Sequence, residues 1–128
     1  MTDYVTTYYV KASVATNGVM ASCSYFTNPK CTDPATLPLS VSISQGYCDF
    51  IQGDGSDLVL LGATYKTLGH APVMTDGNFA AATNGTVTVV MPKGTEVTKG
   101  VVLIFSDPGK VETLYPSSDP TVVNGQEP

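Results

Sequence analysis

A single all-β domain, folded as a compact β-barrel or β-sandwich, is what this sequence predicts, and three observations carry the prediction. Apolar and polar residues alternate with a period of two in several separate stretches, the pattern of half-buried strands. β-Branched residues dominate, with 17 Thr and 16 Val among 128 residues, and their stiff χ1 suits a pleated surface. No eleven-residue window carries the i, i+3, i+4, i+7 apolar stripe of an amphipathic helix. The length fits one domain, which the sequence divides into an extended N-terminal arm at 1–9, a β domain at 10–115 and an irregular C-terminal tail at 116–128.

The arm, MTDYVTTYY, has three tyrosines set among threonines and strand propensity without an obvious partner. Val10, Ala12 and Val14 then alternate with Lys11 and Ser13. Asn17-Gly18, a strong short-range hairpin signal, separates that run from VMASCSYF, so strands at about 8–15 and 19–26 are expected to pair. TNPKCTDPATLP at 27–38 contains three prolines and reads as an irregular loop. LSVSIS at 39–44 alternates strictly, with Leu39, Val41 and Ile43 on one face. DLVLLGATY at 57–65 and VVLIF at 101–105 are apolar on both faces and read as central strands.

At most one short turn of helix is expected, in DGNFAAATNG at 76–85. Residues 87–105, VTVVMPKGTEVTKGVVLIF, look like two buried strands joined as a hairpin, with Lys93, Glu96 and Lys99 on its exposed turn. Pro92 ends the first strand because it has no N–H to donate. The tail, PSSDPTVVNGQEP, shows neither period.

Composition narrows the function classes. Charged residues make up 13%, against about 25% in a usual domain. The surface is therefore covered largely by Thr, Ser, Asn, Gly and apolar groups, which suits contact with other protein. The net charge of −5 repels phosphate backbones and anionic lipid. All six cations are lysine, so the bidentate donor that nucleic-acid readers favour is missing. No nucleic-acid partner is expected. The apolar runs are far shorter than the roughly 20 residues of a membrane span, and no membrane partner is expected either. Asp3 and the lack of a basic, apolar leader argue against a secretory signal; synthesis in a cytoplasm is the expectation.

The candidate spots for chemistry are weak. Cys23, Cys31 and Cys48 form no C-x-x-C pair and have only His70 for company, so the spacing of a zinc site is not met. A Cys23–Cys31 disulfide and three thiols acting as small apolar side chains are both open, and the second is the expectation. QGDGSDLVL at 52–60 matches a single copy of a calcium-binding nonapeptide that works only when stacked. Asp49, Asp54 and Asp57 offer oxygens, but Gly-Asp-Gly-Ser also makes a tight turn. His70, the lone histidine, has no nucleophile elbow or activated cysteine pattern beside it. Asn84-Gly85-Thr86 fits a glycosylation triplet, which matters only on a eukaryotic secretory route; without a signal it is better read as a turn ahead of the TVTVV strand. No catalytic residue, cofactor or metal is assigned, and the protein is expected not to be an enzyme.

Val97, Lys99, Gly100, Val101 and Val102 spell "v-x-K-G-v-v" leading into an apolar strand. With the Thr/Val/Gly-rich acidic composition and the arm, this resembles small capsid decoration (cement) proteins of tailed bacteriophages. The resemblance covers about 30 residues; the three-cysteine, proline-rich segment 23–48 departs from it. It implies a non-catalytic virion protein on the capsid exterior, made in the host cytoplasm. It further implies that the protein binds the major capsid protein, often as a homo-oligomer with a trimer favoured, and stiffens the shell. On that reading Tyr4, Val5, Tyr8 and Tyr9 are expected to carry the partner contacts, since aromatic anchors dominate such interfaces. The alternative is a β-sandwich adhesion or carbohydrate-binding domain of a tail fibre or surface appendage. It would need Tyr25, Tyr47 and Tyr65 to replace the missing tryptophan as a stacking platform.

Overall fold

The computed structural model describes residues 6–68, 78–118 and 120–126. These residues are all-β, with ten strands and no helix: β1 (Thr7–Val14), β2 (Ala21–Phe26), β3 (Leu39–Ser42), β4 (Tyr47–Gln52), β5 (Val59–Leu68), β6 (Asn78–Ala81), β7 (Thr86–Val90), β8 (Thr98–Asp107), β9 (Lys110–Pro116) and β10 (Thr121–Gln126). Two mixed sheets pack face to face as a sandwich. Sheet A has the order β2-β1-β4-β7; sheet B has the order β3-β10-β8-β5-β6, with β9 also paired to β8.

Period-two alternation explains how each sheet meets the other. Along β1, Tyr8, Val10 and Ala12 point inward and are buried, while Tyr9 and Lys11 point out. Cys48 and Phe50 of β4, and Val87 and Val89 of β7, line the same layer. Opposite them stand Leu39, Val41, Leu60, Ala63, Val101, Leu103, Phe105 and Val122 from sheet B. Each fully buried Val, Leu or Phe side chain contributes about 1.5–3 kcal/mol by leaving water. In β5 the register shifts between Leu60 and Gly62. This bulge changes the inward set from Leu58 and Leu60 to Ala63 and Tyr65 and leaves Gly62 beside Leu61 on the outer face.

The β1–β2 hairpin forms as expected, in antiparallel register from Tyr9↔Phe26 to Val14↔Ala21. Gly18 takes φ +72° in its loop, and Asn17 Oδ1 accepts from the amides of Val19 and Met20. The loop 27–38 is irregular, held by Asn28 Oδ1 accepting from the amides of Thr32 and Asp33. The strands read as central, β5 and β8, have neighbours on both sides.

Several expectations are corrected. Residues 78–81, inside the stretch read as a helical turn, form β6, because Ala80 and Phe79 pair with Ala63 and Thr64 of β5. The run 87–105 is not a hairpin, since β7 lies in sheet A and β8 in sheet B. β7 sits at the edge of sheet A and lies over β5 and β6, and β8 lies inside sheet B, so each strand buries one face in the shared core without pairing with the other. Lys99 is accordingly not on an exposed turn: it is 7% exposed, and its Nζ lies 5.8 Å from the Tyr65 ring centroid. Residues 121–126, read as tail, form β10, parallel to β3 on one side and antiparallel to β8 on the other. At the other end, residues 7–9 belong to β1 rather than to an arm.

The connector between β7 and β8 crosses from one sheet to the other and is fixed by one buried side chain. Asn124 of β10 is fully buried. Its Oδ1 accepts from Val97 N at 2.6 Å, and its Nδ2 donates to Pro92 O at 2.8 Å and Thr95 O at 2.9 Å. A carboxamide, with one acceptor and two donors, is the side chain that meets this demand.

Candidate interaction surface

Alternation along β1 decides what becomes of the expected contact residues. Tyr8 and Tyr9 are neighbours, so they point to opposite faces and cannot serve one surface. Tyr8 is 4% exposed. Its hydroxyl donates to Ser40 O at 2.5 Å and accepts from Ser40 N at 3.0 Å, joining sheet A to β3 of sheet B. Burial raises its pKa above the usual tyrosine value, and the hydrogen bond to Ser40 partly offsets that. Tyr8 is thus a structural clasp and is withdrawn as a partner contact. Replacing it by Phe should cost about 1–2 kcal/mol, since it leaves the Ser40 amide without that acceptor; urea denaturation of the variant measures this. Tyr9 lies on the outer face of sheet A, in register with Phe26 on one side and Ile51 on the other, all three partly exposed. Tyr4 and Val5 lie outside the described residues, as does His70.

The remaining sequence candidates are dispersed. Asp49 accepts from Thr88 Oγ1 at 2.6 Å on the outer face of sheet A. Asp54 and Asp57 sit in the turn after β4, where Gly55 takes φ +81° and Ser56 Oγ accepts from Ala12 N. Among the described residues no three His, Cys, Asp or Glu side chains converge on a metal-sized site. Tyr25 faces inward and packs edge-to-face on Phe50 at 6.3 Å, and Tyr65 is 8% exposed, so with Tyr47 they share no platform for a sugar.

All three thiols are free. Cys48 is buried, and burial drives its pKa strongly upward. Burial lifts Cys23 to about 11, against a smaller lowering by its hydrogen bond with Tyr25. Cys31 packs against Gly53, where a β-carbon would collide with its Sγ.

What the structure does assemble is an apolar field on the outer face of sheet B. Register places Val102, Thr64 and Phe79 in one row across β8, β5 and β6, and Pro116, Ile104, Gly62 and Ala81 in the next. Phe79 is 64% exposed, Leu114 54% and Leu61 40%. A β-carbon on Gly62 would stand 3.0 Å from Phe79 Cζ and 2.7 Å from Ala80 O, so glycine here lets the ring lie down on the sheet. Beneath the field β5 and β8 are hydrogen-bonded on both sides, while β6 and β9, which carry Phe79 and Leu114, are each paired on one side. No protein-family model matches this chain, and no curated protein does. Among the described residues no helix is long and apolar enough to cross a membrane.

Sequence reasoning misses this surface because its parts come from strands far apart in the chain. The only signal is that β5 and β8 are apolar on both faces. That pattern suggests a second buried face, yet a sandwich has only one inner face per sheet.

Proposed function

We propose that this domain is a non-catalytic structural protein of a virion, binding the outer surface of an assembled phage capsid and stabilising it. The observation that supports the reading is the apolar field on the outer face of sheet B, formed by Leu61, Phe79, Val102, Ile104, Leu114 and Pro116. Exposed apolar groups gathered on one sheet face mark a contact with other protein. Six side chains are few beside the roughly 20–30 residues per partner in a standard interface. Such a patch binds weakly alone and gains strength from repetition, as a homo-oligomer on a repeating shell of major capsid protein provides.

The test is co-sedimentation of the purified chain with capsids of the phage encoding it. Micromolar binding to expanded, DNA-filled shells and weaker binding to unexpanded ones is expected; no binding to either overturns the proposal. Phe79→Asp should abolish that binding while leaving the melting temperature within a few degrees of the parent, because the side chain is mostly outside the core. The role of the arm is tested by removing residues 1–5 only, since a longer deletion would take Tyr8 from the core.

A further inference from the structure

Three Asn-Gly pairs occur in the chain, at 17–18, 84–85 and 124–125. Asn-Gly is chemically labile because glycine offers no side chain to hinder attack of its amide nitrogen on the preceding carboxamide. By sequence the three pairs are equivalent. By structure they are not, and we propose that Asn84 is the site of spontaneous deamidation in the folded protein.

At 124–125 the carboxamide is fully buried and makes three hydrogen bonds. At 17–18 both reacting groups are engaged: Asn17 Oδ1 accepts from Val19 N and Met20 N, and Gly18 N donates to Ala15 O at 2.9 Å. At 84–85 neither is held. Asn84 is exposed, and among the described residues its side chain makes no hydrogen bond. It is the first central residue of a two-residue turn, with φ 52° at Asn84 and 77° at Gly85, closed by Thr83 N→Thr86 O at 2.8 Å and Thr86 N→Thr83 O at 3.1 Å. The space beside Gly85 is open, with no atom within 4 Å of where a β-carbon would stand.

The chemistry needs only water and base. Base removes the Gly85 amide proton, the nitrogen attacks Asn84 Cγ, and the tetrahedral adduct expels ammonia to leave a five-membered succinimide. Water then opens either ring carbonyl, giving aspartate or isoaspartate at position 84. Either product adds one negative charge. The isoaspartate also adds a carbon to the backbone of the turn that joins β6 of sheet B to β7 of sheet A, which the Thr83–Thr86 pair cannot accommodate unchanged.

Folded protein is incubated in mildly alkaline buffer and digested, and peptides are scored for exchange of an amide for an acid. Asn84 is expected to convert first. Asn17 should be more than about tenfold slower, and Asn124, whose release requires opening buried hydrogen bonds, more than about a hundredfold slower. In concentrated urea the three rates should converge. The proposal is overturned if Asn17 or Asn124 matches Asn84 in the folded state, if the order survives in urea, or if Asn84 stays intact while the unfolded chain converts. The aged protein should melt below the fresh protein, whereas Asn84→Asp, which has the charge without the added carbon, should melt close to it; equal melting of all three would overturn the assignment of isoaspartate to this turn.

Discussion

Replacing Asn124 by Ala should cost about 3 kcal/mol of folding stability, the largest expected loss from any single polar side chain among the described residues. Three hydrogen bonds vanish at once, leaving Val97 N, Pro92 O and Thr95 O without this partner. The site is fully buried, so water does not replace it at no cost. Asn124→Asp should be worse near neutral pH. It retains the acceptor for Val97 N but turns an anionic oxygen toward the carbonyls of Pro92 and Thr95. Urea denaturation read as a shift in midpoint at constant slope measures both. A loss below about 1 kcal/mol for the alanine variant would mean that the connector holds its crossing without this residue.

The second large effect is a loss of stability in alkali. Cys23 is held up to about 11 from an ordinary value near 9, Cys48 is raised further by burial, and Tyr8 is raised above 10.0. In each case the folded state keeps the proton and the unfolded chain releases it first. Stability is therefore complete below about pH 8.5, where both states are protonated. It falls as pH rises through 9 and levels for Cys23 near 11. Cys23 alone accounts for a loss of about 2–3 kcal/mol across that window, with Cys48 and Tyr8 adding in the same direction. Melting temperature measured from pH 7 to 11 checks this, and Cys23→Ala should make the fall shallower, leaving the part due to Cys48 and Tyr8. A curve that is level across that window would show that the thiols ionise alike in both states.

Much of the fold was legible where a strand had its signal within a few residues. β1, β2 and β3 alternate, and Asn17-Gly18 sits between the two strands it joins. What escaped is what depends on distant partners. β6 is Asn-Phe-Ala-Ala, whose alanines carry no strand preference, and it is a strand because β5 stands beside it. β10 contains Asn124-Gly125, a turn signal in isolation; in the fold that asparagine spends its side chain on the β7–β8 connector instead. The connector read as a reversal because Lys-Gly pairs at both ends favour turns. Turn residues reveal that a chain bends, not which sheet it enters next.

The surface was harder to read than the fold. Of the four residues singled out by their place in the arm, the two that are described part along β1, Tyr8 inward and Tyr9 outward. Phe79, the most exposed aromatic side chain on sheet B, stands in a stretch with no strand signal of its own. Its prominence depends on Gly62 two strand positions from its cross-strand partner Thr64, a relation that exists only after pairing.

The parallel pairing of β3 with β10 has a consequence for how the protein is made. Leu39 finds its partner in Val122, and Ser40 in Val123. While the chain is being synthesised, β3 emerges early and then waits for nearly the whole of the remaining sequence before its neighbour exists. Contacts this distant in sequence are slow to form. Until they form, Leu39 and Val41, fully buried in the finished domain, lie on an unpaired strand open to other nascent chains. Closure of sheet B along β3 is thus postponed until β10 has left the ribosome, whereas every strand of sheet A has emerged once Val90 is made.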